Sequence, residues 1–223
     1  MLLVGCGSAA DKASYKAGEL GNGGFNFQCD DSVACDRYNA AKSFPTDVAL
    51  GSTFRVRYIP KDSDVSVNQT PADTGVTVGT IGSTYLQYGP DGFAALKAGI
   101  GAVTARNAQG SLVEYTTIRV TPPDALVVYD AAYQSSQGST PPKVSNVSIK
   151  LNEEKSLRAL ARAKSQDLAG SLKYEWTSSA ENIVETNSDA QGRVTLVGKA
   201  VGNATVTVEG GTFKQTFPVV VTE

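Results

Sequence analysis

Three cysteines, Cys6, Cys29 and Cys35, are the most reactive side chains of this 223-residue chain. Cys29 and Cys35 stand six positions apart, which differs from the C-x-x-C spacing of thiol redox motifs. A zinc site is the other alternative, but the chain contains no histidine to complete a ligand shell. We therefore predict a local disulfide between Cys29 and Cys35 that braces a turn, and we predict no metal and no cofactor.

Catalytic groups are sparse for the same reason. Without histidine, the chain lacks the Ser–His and Cys–His pairs of nucleophilic catalysis. Glu114, Glu175 and Glu181 are candidate acids, but no motif brings two of them together as a glycosidase requires. We predict that these carboxylates are solvated surface charges, that no residue is catalytic and that the protein is not an enzyme.

Two loops carry carboxylates that could bind a cation. The first spans residues 61–64, and the sequence leaves open an exposed cation there. The second spans residues 187–192 and imitates the start of a calcium loop. Position 12 of such a loop would be Gly198, where a bidentate glutamate is needed. A hairpin turn is the favoured interpretation of this second loop.

The third cysteine, Cys6, follows a short apolar stretch that ends in Val4 and Gly5. This order resembles the bacterial lipobox, where a signal peptide is cut before a cysteine that is then acylated. The resemblance implies an exported lipoprotein with a palmitate-type anchor on Cys6. A signal peptide needs roughly 7–15 apolar residues, so an upstream start or a truncated sequence is expected. The position after Cys6 is occupied by Gly7 and not by the aspartate that is associated with inner-membrane retention, which favours the outer membrane.

Composition agrees with an exported, folded protein. The apolar fraction of 41% is enough to build a core, and the net charge of −2 comes from interspersed charges of both signs. We expect no nucleic-acid partner, because no basic face is indicated. No apolar run reaches the roughly 20 residues that span a bilayer, so attachment to a membrane is expected through lipid alone.

From about residue 45 the chain alternates polar and apolar residues between Gly, Pro, Asn and Asp, which is typical of short strands. Phe54, Val56 and Tyr58 are placed on one face of such a strand. A repeat supports two similar units, because the stretch that begins at Gly92 aligns with the one that begins at Gly192. Each unit has enough strands for a small sandwich.

A family resemblance lies in the last third of the chain, in residues 174–179, 182–184, 192–198 and 202–208. Their order of Trp-x-Ser-Ser, short strand, Gly-hydrophobic turn and Gly-x-Ala-Thr strand resembles the bacterial immunoglobulin-like (Ig-like) domain of the invasin and intimin type, group 2. The resemblance covers residues 144–223 and is weaker over residues 41–122, which lack tryptophan. It implies spacer or adhesion modules. The core residues expected for the second domain are Leu172, Tyr174, Trp176, Leu196 and Val206.

The predicted fold is therefore all-β, with two tandem Ig-like β-sandwiches preceded by a flexible, lipid-anchored N-terminal segment. The predicted divisions are a signal remnant and spacer (1–24), a disulfide-braced turn (25–40), domain 1 (41–122), a connector (123–143) and domain 2 (144–223). The apolar piece of the connector, residues 126–129, is expected to add a strand to either sandwich, and the connector is the expected place for a partner strand to pair.

The predicted function is non-catalytic: a lipoprotein of the bacterial cell envelope that acts as a spacer or adhesion module and binds an unknown protein or a surface glycan. A carbohydrate-binding accessory module and a subunit of an envelope assembly are the alternatives. The first alternative requires an exposed row of aromatic rings. Its candidates are Tyr85, Tyr88, Tyr115, Tyr129 and Tyr133.

Overall fold

The structure is a computed structural model, and it describes residues 16–29, 44–61, 75–131, 143–189 and 192–223. These residues form strands and no helix. None of their segments is a helix that could cross a membrane. Cys6, Cys35, Tyr133, the acidic residues of the loop at 61–64 and most of the predicted turn at 25–40 lie outside the described residues.

The first sandwich consists of two facing sheets built from nine strands. One sheet has the order β1-β2-β4-β7-β6 and the other has the order β3-β9-β8-β5. The strands are β1 (Lys16–Ala17), β2 (Gly23–Gln28), β3 (Asp47–Ala49), β4 (Thr53–Pro60), β5 (Thr77–Thr80), β6 (Leu86–Gly89), β7 (Gly92–Ala95), β8 (Gly99–Arg106) and β9 (Leu112–Thr121).

The second sandwich repeats this plan. Its sheets have the orders β10-β12-β16-β15 and β11-β18-β17-β14, and β13 pairs with β12. The strands are β10 (Ala125–Asp130), β11 (Val147–Lys150), β12 (Glu154–Ala163), β13 (Gln166–Asp167), β14 (Tyr174–Ser178), β15 (Val184–Ser188), β16 (Arg193–Gly198), β17 (Gly202–Gly210) and β18 (Phe213–Thr222).

The two sandwiches match strand by strand. In each, a short strand runs parallel to the last strand, β3 with β9 and β11 with β18. In each, an extra strand precedes it and pairs antiparallel with the next long strand, β2 with β4 and β10 with β12. The repeat therefore includes β2 and β10. In the sequence-based prediction, β2 belongs to the spacer and the braced turn, and β10 to the connector.

Two predicted divisions need correction. Residues 23–28 were divided between a flexible spacer and a turn, yet they form β2, in which Phe25 and Phe27 are fully buried. The predicted connector contains β10, which confirms that residues 126–129 add a strand to one sandwich and places Leu126 and Val128 in the second core. Both strands alternate large apolar side chains toward a core, which is why they belong to the sandwiches.

The first core has a ladder of aromatic rings in the place of a tryptophan. Phe27 stacks on Phe54 at 5.2 Å and Phe54 stacks on Phe93 at 5.3 Å between ring centroids, so the ladder crosses β2, β4 and β7. Offset stacking adds to the hydrophobic gain of burying the rings. Val103, Ile118 and other apolar residues of the facing sheet complete this core.

The second core contains all five residues that the sequence assigned to it. Trp176 packs edge-on against Phe217, with 6.5 Å between ring centroids, and its Nε1 donates a hydrogen bond to the Gly192 carbonyl at 3.3 Å. That bond satisfies the indole N–H in a buried position. The five assigned residues are Leu172, Tyr174, Trp176, Leu196 and Val206, each 7% exposed or less.

Candidate functional site

The two sandwiches meet at a joint that is held by backbone hydrogen bonds and buried side chains. Its first half is the turn at the end of β3, residues 48–53, and its second half is the loop 169–171 after β13. Ala49 N donates to Ala169 O at 2.9 Å, and Ala169 N donates to Asp47 O at 3.2 Å. Thr53 and Ser171 exchange two further bonds of 2.9 and 2.8 Å. Four backbone hydrogen bonds therefore run between the sandwiches, in both directions.

Apolar side chains close the joint around these bonds. Ala49, from the first sandwich, belongs to the buried cluster of the second. Conversely, Tyr129, Leu160 and Ala169, from the second sandwich, belong to the buried cluster of the first. Each core thus contains residues of the other sandwich, which couples the two units more tightly than a flexible linker does.

Small residues make this close approach possible. Ser52 is fully buried, and its Oγ donates to Ala49 O at 2.7 Å. Gly170 has φ of +98°, and a Cβ there would lie 2.7 Å from the Ser52 Cβ. Only glycine accepts both the backbone angle and the contact. No sequence pattern indicates that Ser52 and Gly170 meet, because both belong to loops.

The structure splits the candidate tyrosines. Tyr85 and Tyr88 flank or occupy β6 and are 37% and 49% exposed, but Tyr88 also packs against Phe93. Tyr115 is half-buried, and Tyr133 lies outside the described residues. Tyr129 is fully buried in the joint, so its prediction as a binding-surface residue is wrong. The exposed aromatic row that a carbohydrate-binding module needs therefore loses one of its five candidates.

Tyr129 is buried because its side chain packs into the core cluster of the first sandwich. The strand β10 pairs with β12 along one edge, and on the other edge Tyr129 bridges Lys143 while Val144 N donates to Val128 O at 2.8 Å. These contacts cover the outer edge of β10 at Val128 and Tyr129, within the connector where we expect a partner strand to pair. Burial raises the pKa of the Tyr129 hydroxyl, with a further increase from the nearby Asp167 carboxylate that the Arg162 guanidinium opposes.

The prediction that Glu114 is a solvated surface charge is also wrong. Glu114 is fully buried on β9, and its carboxylate accepts backbone N–H bonds from Leu20 at 2.7 Å, Asn22 at 2.8 Å and Tyr115 at 2.9 Å. Burial acts to raise the pKa of this carboxyl, but the N–H donors outweigh it and hold the pKa below its usual range. The carboxylate thus fastens the loop between β1 and β2 onto β9.

The remaining candidate acids have separate structural settings. Glu175 lies on β14 with its side chain 70% exposed. Glu181 follows that strand and accepts hydrogen bonds from Thr186 N and Oγ1 at 3.1 and 2.8 Å, which braces the turn before β15. Glu114 belongs to the other sandwich. The arrangement assigns these acids to local structure, and the described residues contain no cluster of three acids or cysteines suited to a metal.

Cys29 and most of the loop at 187–192 lie in the described residues. Cys29 directly follows β2, is half-buried against the first core and is disulfide-bonded. Neither Cys6 nor Cys35 lies in the described residues, so the Cys29–Cys35 pairing and the anchor stay predictions. In the loop that imitates a calcium site, Asp189 Oδ1 accepts a hydrogen bond from Arg193 N at 2.9 Å, and Ser188 pairs with Val194 across it.

No protein-family model matches the sequence, and a comparison with curated protein sequences finds no relative. Solved structures with similar folds include the S-layer protein rSbsC, at 17% identity and a TM-score of 0.34 over 76% of this chain and 23% of that one. The chain thus spans about a quarter of its length. The adhesin InvE of Yersinia pseudotuberculosis matches at 15% identity and a TM-score of 0.35, over 79% of this chain and 56% of that one.

The D00-D0 domain of intimin is similar at 14% identity and a TM-score of 0.32, over 80% of this chain and 97% of that one. The all-β fold and the two Ig-like sandwiches rest on the strand orders and buried clusters described above.

Proposed function

We propose that this chain is a non-catalytic lipoprotein of the bacterial cell envelope, anchored to the outer membrane through Cys6, in which two Ig-like sandwiches form a stiff spacer and present a surface to a protein or surface glycan. The observation that carries the spacer function is the joint. Four backbone hydrogen bonds and an exchange of core residues fix one sandwich on the other. A flexible tether would need none of these contacts.

The anchor is tested by the intact mass and detergent partitioning of the protein. The chain is expressed from an extended upstream start in a Gram-negative host, beside a Cys6→Ser variant. The proposal expects a mass gain from acyl chains and partitioning into detergent, both lost in the variant. An unmodified product that stays in the aqueous phase would show that the apolar stretch before Cys6 is no lipobox.

Edge strands are the proposed place of partner contact, because an unpaired edge offers a row of free N–H and C=O groups. Among the described strands, β6 and β15 end one sheet of each sandwich. Gln87 and Tyr88 on β6 are exposed. A photo-crosslinking residue at position 87 should capture an envelope partner from intact cells. The same group at the exposed Glu209 is the matched control, because Glu209 lies on β17 and is paired with β14 on one side and with β18 on the other. Equal capture at both positions would contradict the edge assignment.

A further inference from the structure

The turn that forms the first half of the joint occurs a second time, at the far end of the second sandwich. In the joint it follows β3 as residues 49–52, and at the far end it follows β11 as residues 150–153. Leu50 N donates to Thr121 O at 2.9 Å, and Leu151 N donates to Thr222 O at 2.8 Å. Since β3 and β11 run parallel to the equivalent strands β9 and β18, the two turns occupy the same place in each sandwich.

The remaining backbone bonds of the two turns also agree. Gly51 N donates to Ala95 O, and Asn152 N donates to Gly198 O, both at 2.8 Å. Gly51 and Asn152 share the left-handed conformation, with φ of +85° and +64°. Asparagine tolerates this region better than other residues with a Cβ. The backbone of the far turn therefore has the shape of a docking surface for an Ig-like sandwich.

The side chains of the two turns differ where docking takes place. Ala49 and Ser52, both fully buried in the joint, are replaced at the far end by Lys150 and Glu153, which are exposed. In the joint, Ala49 N donates across to Ala169 O of the other sandwich. At the far end, the equivalent Lys150 N donates instead to the Glu153 carboxylate at 2.7 Å. Glu153 thus takes the hydrogen bond that a docked sandwich would accept.

Glu153 also obstructs docking by its size. Its counterpart Ser52 lies against Gly170, where even an added Cβ would come within 2.7 Å of the Ser52 Cβ. A longer side chain at this position has no room beside such a loop. A charged side chain that satisfies an edge donor is a device by which sheet edges avoid pairing.

We propose that residues 150–153 are a docking turn for a further Ig-like sandwich, and that Glu153 holds it closed. The occupant that the turn fits is a second copy of the sandwich formed by residues 123–223, which does not dock there through its loop 169–171 while Glu153 is present. Glu153 is then the residue that determines which ends of these sandwiches form rigid joints. The inference stands independently of the lipid anchor and of any partner on an edge strand.

The hydrogen bond is tested first, in the native chain. Amide exchange of Lys150, followed by NMR, should become about tenfold faster in Glu153→Ala, because the amide loses its acceptor. Glu154→Ala is the matched control, since Glu154 is an exposed glutamate at the next position. Equal exchange in the two variants would overturn the proposal, because Glu153 would then not occupy this donor.

Docking is tested in a chain of three sandwiches. Residues 123–223 are repeated after Glu223, so that the new linker has the length of the existing one. In the unchanged form, peptides that cover residues 147–153 should exchange as in the native chain. With Lys150→Ala, Asn152→Gly and Glu153→Ser in the middle sandwich, their exchange should slow about tenfold, and X-ray scattering should report a fixed third sandwich. Protection in the unchanged form, or none in the triple variant, would overturn the proposal.

Discussion

Gly170 and Ser52 meet at a contact that a single methyl group would break. A Cβ on Gly170 would lie 2.7 Å from the Ser52 Cβ and closer still to its Oγ, and Gly170 has φ of +98°. The two residues are far apart in sequence and belong to different sandwiches. The contact brings the loop 169–171 close enough to exchange backbone hydrogen bonds with the turn before β4.

The joint should open when this glycine is replaced. We expect Gly170→Val to speed amide exchange at Ala49, Ala169 and Ser171 while both cores keep their protection, because the loop can no longer approach Ser52. The left-handed backbone adds a strain of about 1–2 kcal/mol. Hydrogen exchange with mass spectrometry checks the effect.

Gly110→Val is the control for strain alone, since Gly110 has φ of +79° and no atom within 4 Å of an added Cβ. If Gly170→Val left the exchange of the three joint amides as it is in the native chain, the joint would not depend on this contact.

Glu114 should stabilise the first sandwich through its charge. Glu114→Gln weakens an acceptor for three backbone N–H groups. The expected loss in the free energy of unfolding is about 1–3 kcal/mol, the cost of leaving a buried polar group unsatisfied. Urea denaturation at neutral pH measures it, with Glu175→Gln as the control because that side chain is 70% exposed.

The same carboxylate gives a pH dependence with a definite sign. Because the folded-state pKa of Glu114 is lowered, its stabilisation is present above the unfolded-state pKa of about 4.3 and is lost as the pH falls through the folded-state pKa. The native chain should therefore lose more stability on acidification than Glu114→Gln. Urea denaturation of both proteins at a series of falling pH values compares them. If their free energies of unfolding fell equally with pH, Glu114 would not be charged in the folded state.

The aromatic ladder should be a major stabilising feature of the first core. Phe54 stacks on a ring on either side, so Phe54→Ala leaves a cavity between Phe27 and Phe93. The expected cost is about 3–5 kcal/mol in the free energy of unfolding. Ile100→Ala is the control, because Ile100 is 57% exposed and its truncation should change stability little. A comparable loss in both variants would argue against the ladder as a core element.

The predicted disulfide closes a short loop and should contribute about 2–3 kcal/mol to stability. Peptide mapping without reduction should recover a Cys29–Cys35 linkage. Cys35→Ser should lower the midpoint of denaturation under oxidising conditions and have little effect in reductant. Recovery of a Cys29–Cys6 linkage instead would refute both this pairing and the lipid anchor.

The alternation of polar and apolar residues along the sequence predicted much of the fold. Phe54 and Tyr58 are buried on one face of β4, as the period-two pattern requires, and Trp176 lies in the second core. The repeat also predicted two similar units. Local patterns succeed here because the side chains of a strand point alternately to opposite faces.

Local patterns failed where the outer face of a strand is also covered. Tyr129 was assigned to a surface because β10 looked like a connector, and Glu114 because a carboxylate on a strand is usually solvated. Tyr129 is buried by the other sandwich, and Glu114 by the loop between β1 and β2. Both coverings come from segments distant in sequence, so no window around either residue contains the information.

The order of residues was enough to predict an all-β chain of two repeated sandwiches, and to show that it lacks the histidine that common active sites use. Only the folded chain shows that the sandwiches form a joint, and that Ser52 lies in this joint while the equivalent Glu153 binds the Lys150 amide. Strand formation depends on the period of neighbouring side chains, whereas docking depends on which backbone donors remain free after folding.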